Sequence, residues 1–220
     1  MIITIDGPAG TGKSTVAREA ARLLGFDFLD TGAMYRAVGL AALRKNIDLN
    51  DARELSFVAS HVRIDFDWSQ NPPSVLLNGE PVSHLLRGGE ATHAASFVAT
   101  VPAIRLKLVE QQRQIGRQRP NLVSEGRDQG SVVFPHAELK FYLDAAPHER
   151  AQRRAAQLRA RGEVVDIQRL LEEIVDRDTR DANRKVGAMV KPDGAEIIDT
   201  TRLSEDEVVT HIVAKAKGTE

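Results

Sequence analysis

Apolar and polar positions change period along this chain, and the changes divide it into elements. Ile2-Ile3-Thr4-Ile5 is a short, largely apolar and β-branched run, the pattern of a buried strand. From about Ser14, residues Val16, Ala17, Ala20, Ala21, Leu23 and Leu24 recur at helical spacing, and Gly25 offers a C-cap. Phe26-Asp27-Phe28-Leu29 predicts a second strand, and Thr31 an N-cap for a helix reaching about Arg44. Asn50-Asp51 opens another helix, to about His61. Residues 62–68 then alternate strictly, as a strand with one wet face does, until Pro72-Pro73 breaks the run. Val75-Leu76-Leu77, Asn78-Gly79 and Glu80-Pro81-Val82 read as a hairpin about a two-residue turn. Helical text resumes after Gly88-Gly89 over 90–101, and Pro102 starts a long helix through Gln118. Leu122-Val123 and residues 139–143 are strands; helices follow from Pro147 to near Gly162 and from Asp166. Glu196-Ile197-Ile198-Asp199 is the last strand, and Ser204 caps the final helix. Strands alternating with helices predict an α/β fold: a parallel five-stranded sheet flanked by helices, with ligands over the carboxyl ends of the strands. A small antiparallel β-meander, about residues 57–95, interrupts that order as an insertion in one domain spanning 1–220.

The first strand and first helix are joined by Gly7-Pro8-Ala9-Gly10-Thr11-Gly12-Lys13-Ser14, which fits G-x-x-x-x-G-K-[ST]. Strand, glycine loop and helix are the context in which that pattern has a mechanism. The glycines let backbone N–H groups curl round a polyphosphate, and the helix N-terminus adds partial positive charge. Lys13 can neutralise β/γ oxygens and Ser14 can ligate Mg²⁺. The loop predicts a nucleoside triphosphate ligand. Glu125, at the carboxyl end of a core strand beside it, is a candidate to hold Mg²⁺ waters. Arg36 falls in the second turn of its helix, either on the surface or over the strand ends.

Composition narrows the partners. At 220 residues the chain can bury a full core, and 42% hydrophobic with 28% charged residues is ordinary for a globular protein. A net charge of −1 provides no global field toward nucleic acid or membrane, and no apolar run approaches spanning length. Cysteine is absent, which excludes disulfides, thiolate metal sites and a cysteine nucleophile. The strand entered at residue 2 leaves no room for a signal peptide, so a cytoplasmic enzyme is expected. Arginines cluster between 150 and 184, including Arg150, Arg153, Arg154, Arg159, Arg161, Arg177, Arg180 and Arg184. They form either a solvated helix face or an arginine-lined phosphate site.

Four motifs in order and spacing give the chain a family likeness. The glycine loop, Asp30-Thr31-Gly32-Ala33-Met34-Tyr35-Arg36, Gly126-Arg127-Asp128 with Val132-Val133-Phe134-Pro135, and the stretch 177–184 resemble the bacterial cytidylate kinase family. The likeness covers essentially the whole chain, β-meander included. It implies a P-loop kinase core, ATP and Mg²⁺, and phosphoryl transfer to CMP and dCMP for pyrimidine nucleotide supply by a monomer. It also implies roles by position. Lys13, Arg36, Arg127 and Arg184 would be catalytic, and Gly7 to Thr15 with Arg153 would hold ATP. Thr31 would join Arg36 and Arg127 at the acceptor phosphate; Ser96, Arg105 and Asp128 would contact cytosine; Arg177 and Asp181 would hold the sugar hydroxyls. Residues 153–163 would form an arginine-rich lid over ATP, and the 57–95 insertion would bind the acceptor nucleotide. Gln129 and Ser131 depart from the apolar residue and threonine commoner there; the Gln129 amide could donate to O4 of uracil and soften base selectivity.

Other readings stay open on the residues alone. A P-loop kinase of another nucleotide or small metabolite shares the donor site; with a hydroxyl acceptor it needs a carboxylate base, for which Asp30 stands ready. A GTP switch would carry an N-K-x-D guanine-reading motif, which is absent. An ATP-binding regulatory module would bind the donor without acceptor-dependent turnover.

Overall fold

The computed structural model of the chain describes every residue except 87, 161 and 220, so Arg161 of the arginine-rich stretch lies outside the described residues. The first strand, β1 (Ile2–Asp6), feeds the glycine loop and α1 (Lys13–Leu24), which ends on Gly25 in a left-handed conformation. β2 (Asp27–Asp30) leads directly into α2 (Thr31–Arg44). Here the expected cap moves by one residue. Asp30 is the N-cap, its carboxylate accepting from the Ala33 N–H at 2.9 Å, and Thr31 is the first helical residue. α3 (Ala52–His61), capped by Asp51, follows. The insertion contains β3 (Ile64–Asp67), β4 (Ser74–Leu77) and β5 (Glu80–Pro81), paired antiparallel in that order. Asn78 and Gly79 take φ of 52° and 87°, the two left-handed positions that a tight hairpin turn demands. β3 is shorter than the alternating run because only Ile64 to Asp67 find ladder partners on β4.

α4 (Gly89–Val98) and α5 (Pro102–Gln118) precede β6 (Leu122–Glu125), which extends two residues beyond the apolar pair read from sequence. A short π-helix, Gln129–Val133, was not anticipated; no apolar period marks five residues. β7 (Leu139–Asp144), α6 (Pro147–Arg159), α7 (Ile167–Ala182), β8 (Glu196–Asp199) and α8 (Glu205–Lys217) complete the chain. α8 begins with a reciprocal capping box between Ser204 and Glu207.

The main sheet is five-stranded and parallel in the order β2-β6-β1-β7-β8. Register aligns Asp30 and Ile5 with Glu125, so three strands end at one level. Alternation sends Leu29 and Leu122 into a cluster with α2 and α5, and Phe28 and Val123 into one with α1 and α8. The insertion shares the first cluster through Val62, Ile64, Val75, Leu77 and Val82. Polar ties reinforce it: Lys107 donates to Ala59 O and Val62 O, and Arg119 lies 4.1 Å over the Trp68 ring. Among the described residues, no helix is long and apolar enough to cross a membrane.

α2 packs on α4 where neither helix has bulk: a Cβ built on Gly39 would stand 2.9 Å from Ala94 Cβ and 3.1 Å from Ala95 N. Because α2 carries Arg36 and α4 carries Ser96, this contact sets the spacing of two predicted site residues. Gly39→Val is expected to lower the unfolding free energy by about 1–3 kcal/mol through overpacking. Urea denaturation with an unchanged m-value checks this; a variant as stable as the parent would show that the helices separate freely.

Candidate active site

The glycine loop is pressed against the sheet. Gly7 has φ +140°, and a Cβ there would come 2.0 Å from Leu143 O, so β7 admits only glycine at that turn. Gly12 caps α1 in the left-handed region with φ 88°, which turns the chain into the helix. Lys13 is 4% exposed, and its ammonium donates to Pro8 O at 2.6 Å and reaches Thr11 Oγ1 at 3.4 Å. Burial drives its pKa down to about 7, and the Arg127 charge pushes the same way. A cation here is held in waiting for negative charge.

Beside the loop, exposed Ser14 donates from Oγ to Glu125 Oε1 at 2.6 Å. Burial raises the Glu125 pKa, and Asp30 raises it further, so this corner favours added positive charge. Its hard oxygen donors fit Mg²⁺, which is bound by one or two protein groups and keeps several waters. A denser ligand set is not present: no three acidic, histidine or cysteine groups converge as a metal site among the described residues.

Across the strand ends lies a crowd of arginines about one carboxylate. Asp181 on α7 is 1% exposed; its Oδ2 accepts from Arg127 Nε at 3.0 Å and its Oδ1 from Arg184. Burial pushes the Asp181 pKa up, but Arg127, Arg184 and Arg177 more than reverse this and leave it low. Arg177 joins the group from the same helix, and its pKa falls to about 10 through burial and the charges of Arg127, Arg36 and Arg184. Arg36 pairs with Asp30 Oδ2 at 2.6 Å. Arg127 and Arg177 both act electrostatically on Lys13, which joins the loop and the arginines in one site. Within this cluster the buried Nε atoms of Arg105, Arg177 and Arg184 have no hydrogen-bond partner. Buried donors left unpaired cost about 1–3 kcal/mol each, so the site is built for acceptor-rich ligands.

Arg105 and Asp128 are brought together as a buried ion pair, with exposures of 1% and 5%. Arg105 also stands 5.3 Å from the Tyr35 ring centroid. Gly187, unforeseen in sequence, lies against the pair with φ +62°; a Cβ there would fall 2.3 Å from Arg105 Nη2 and from Asp128 Oδ2. Its only signal in sequence is that it is glycine.

Other predicted residues are placed less directly. Thr31 is buried, and its hydroxyl donates to Glu125 O at 2.8 Å, tying α2 to β6. Ser96 donates to His93 O at 2.8 Å and accepts from Arg180 Nη1 at 3.0 Å. Arg153 bonds Thr200 O at 2.6 Å and Glu149 at 3.1 Å. It lines a cavity of about 270 Å³ with Thr11, Val16, Leu203 and Val208, next to the glycine loop. Gln129 is 1% exposed, and its amide accepts from Ser124 at 2.8 Å and donates to Gln112 at 3.2 Å and Thr31 at 3.4 Å. That amide is committed to the protein interior, against the expectation that it could reach a uracil. Ser131 Oγ is buried without a partner. Asp6, also missed, accepts from the Gln129 and Gly130 N–H groups at 2.8 and 2.7 Å and so fixes the turn after Asp128. Buried acids of this kind look like ordinary strand residues in sequence.

The family described as cytidylate kinase matches residues 3–218. A cytidylate kinase of Shewanella loihica is 46% identical over 209 residues, covering 94% of this chain and 90% of that protein. One from Caldanaerobacter subterraneus subsp. tengcongensis is 46% identical over 210 residues, covering 96% and 92%. Solved structures speak to the fold alone. An uncharacterized protein from Eubacterium ventriosum has a TM-score of 0.53 at 14% identity, covering 99% of this chain and 98% of its own. A sugar kinase from Janibacter sp. HTCC2649 has a TM-score of 0.50 at 11% identity, covering 98% and 94%. With the family match spanning nearly the whole sequence and such relatives matching more than nine-tenths of it, the chain belongs to the cytidylate kinase family.

Proposed function

We propose that the chain transfers the γ-phosphoryl group of ATP to CMP, and also to dCMP, giving ADP and the pyrimidine nucleoside diphosphate. The observation that carries this reading is that the glycine loop and the arginine cluster meet: Ser14 of the loop donates to Glu125 Oε1 at 2.6 Å, and Arg127, two residues on, bonds Asp181 Oδ2 at 3.0 Å. Two anion sites that meet in this way suit a reaction that joins two polyanions. Phosphoryl transfer gives a protein little covalent work, and positioning with charge neutralisation dominates. An acceptor phosphate is already ionised at neutral pH, so it needs no general base. This matters for the rival with a hydroxyl acceptor, because both Asp30 oxygens are engaged, one by the Ala33 N–H and one by Arg36.

In this reading the glycine loop, with Lys13, Ser14 and Thr15, holds the donor phosphates, and the cavity lined by Arg153 receives the nucleoside end of ATP. Ser14 and Glu125 would hold Mg²⁺, which when bound neutralises charge on the β and γ oxygens. Arg36, Arg127 and Arg184 act on the acceptor and transferring phosphates, ordered by Asp30 and Asp181. A carboxylate offers about four lone-pair positions, so Asp181 can serve its arginines and still accept from sugar hydroxyls beside Arg177. Residues 153–163 close over the donor, excluding water that would otherwise hydrolyse ATP. The 57–95 insertion serves the acceptor side, since it packs in the cluster that contains α2 and α5, the helices of Arg36 and Arg105. Base reading falls to Ser96, Arg105 and Asp128. An ionised Asp128 only accepts and suits the N4 amino group of cytosine; Arg105 only donates and suits N3 or O2. Uracil presents the opposite polarity at O4 and N3. A coupled ADP-release assay with CMP, dCMP, UMP, AMP and GMP side by side tests the reading as a whole; ATP turnover indifferent to CMP and dCMP would overturn it.

Three outcomes are expected. Lys13→Ala should keep its fold by circular dichroism and lose at least about a hundredfold in kcat, the scale of one electrostatic contact to a transition state; near-parental turnover would remove Lys13 from the machinery. Asp128→Ala should lower kcat/KM for CMP by at least about tenfold more than for UMP, given about 1–3 kcal/mol for each mismatched buried group; an unchanged CMP:UMP ratio would falsify its role in base reading. The third concerns protons. Burial lowers the Lys13 pKa to about 7, so its charge is only partly kept at pH 8, and the negative charge of a bound triphosphate is expected to raise that pKa. Binding of a non-hydrolysable ATP analogue at pH 8 should therefore take up a proton, to at most about one per site. Calorimetry in buffers of different ionisation enthalpy reads this. Lys13→Arg, permanently charged, should abolish the uptake.

A further inference from the structure

α7 presents two carboxylates on one face. Asp181 holds Arg127 and Arg184, as described above. Asp178, three residues earlier and so one turn away, is held by a different arginine on a different element. Arg150 on α6 is buried, with its Nη1 shared between Asp178 Oδ2 at 2.6 Å and Ala9 O of the glycine loop at 2.9 Å. Its Nε is anchored on Ala145 O at 3.0 Å, just past β7. The fit is close: a Cβ on Gly10 would lie 3.0 Å from Arg150 Cβ, so the loop rests directly on this residue. Exposures of 5% and 17% keep the pair largely out of water, where a charge-assisted hydrogen bond keeps its strength. Asp178 also lends its charge to Arg127.

We propose that Arg150 and Asp178 are positioning residues that couple the two nucleotide sites, a strut from the donor loop to the acceptor helix. This inference rests on the reading in which the glycine loop takes ATP and the Asp181 cluster takes the acceptor. The physical argument is one of shared rigidity. A guanidinium is planar with donors in a fixed fork, so the Ala9 carbonyl and the Asp178 carboxylate cannot shift independently while both are bonded to it. Ala9 belongs to the loop whose N–H groups face the donor phosphates. Asp178 lies between Arg177 and Asp181 in sequence, on the helix that orders the acceptor arginines in that reading. Fixing the loop therefore fixes that helix, and fixing the helix fixes the loop. Neither residue is assigned a contact with either nucleotide, yet disturbing either should weaken both sites. A direct ligand of one nucleotide would affect that nucleotide alone, and a purely structural pair would change the folded fraction and not the affinity of folded protein.

The experiment measures the Kd of CMP and of a non-hydrolysable ATP analogue, each alone, by calorimetry on folded protein. The proteins are the parent chain, Asp178→Asn, Arg150→Lys, the double variant, and Asp176→Asn as an exposed control on the same helix. Asp178→Asn keeps the shape and removes the charge; Arg150→Lys keeps the charge and loses the fork, so the two fail in different ways. Each single variant is expected to raise both Kd values by about 3–10-fold, and the double variant to be no worse than the worse single, as for residues acting as one unit. The control should match the parent. A change confined to one nucleotide, no change in either, or single effects that multiply in the double variant would overturn the strut while leaving the kinase reading intact. A parent chain that binds neither CMP nor the analogue would overturn the kinase reading, and the strut with it.

Discussion

Concentrated positive charge is the constraint on which this site depends. Lys13 is buried and Arg127, Arg177 and Arg184 are half-buried within one another's electrostatic reach, and the cost shows in the lowered pKa of Lys13 and Arg177. Such a cluster persists only if something anionic holds it, because an uncompensated buried charge costs several kcal/mol. Asp181 does most of that holding, with both oxygens bonded to arginines. It leaves the cluster ordered but not neutral. Three guanidinium Nε donors remain unpartnered, and Lys13 rests on a carbonyl of its own loop. In the proposed reading such a site is pre-organised, because donors held in place before phosphate oxygens arrive need little reorganisation.

The strand order makes that gathering possible. β1 lies between β6 and β7, so the glycine loop after β1 emerges beside the Ser124-Glu125-Gly126-Arg127-Asp128 turn after β6, although the two are more than a hundred residues apart. Asp6 then fastens them, because the last residue of β1 takes the N–H groups of Gln129 and Gly130. β2, on the other side of β6, ends in Asp30 and delivers Arg36 from the first turns of α2. Binding at the carboxyl ends of parallel strands is a general property of such sheets. Here the buried hydrogen bonds of Thr31 to Glu125 and of Gln129 to Ser124 and Gln112 make the junction rigid. Removing one partner from that network would leave the others buried and unsatisfied, at a cost to stability.

Much of this was legible in the sequence, and the reasons are local. The glycine loop could be read because backbone conformation is a property of a few consecutive residues: only glycine serves at Gly7 and Gly12. The parallel sheet could be read because alternating strands and helices have few compact solutions, and the insertion because Asn78-Gly79 dictates a hairpin wherever it sits. Helix starts at Pro102 and after Asp166 and Ser204 followed from chain chemistry that owes nothing to tertiary contacts. Of the candidate residues, Lys13, Ser14 and Glu125 could be read from the glycine loop and the strand end beside it, whereas the roles of Arg36, Arg127, Arg177 and Arg184 came from the likeness to the cytidylate kinase family.

What the sequence determined by itself, then, was the set of elements, the donor loop and the residue types available to meet phosphate. Which of those side chains face a ligand and which face each other was decided only by the tertiary structure. Thr31 and Asp30 are neighbours, yet one is turned inward to Glu125 O and the other caps a helix while binding Arg36. Gln129 adjoins Asp128, yet its amide is spent in the interior; Arg150 looks in sequence like Arg153 and Arg159, yet it is buried between a loop carbonyl and Asp178. The physical reason is that a polar side chain has no fixed partner in sequence. Burial strips it of water and obliges it to bond with whatever the packed chain brings within about 3 Å, and that neighbour is chosen by contacts dozens of residues away.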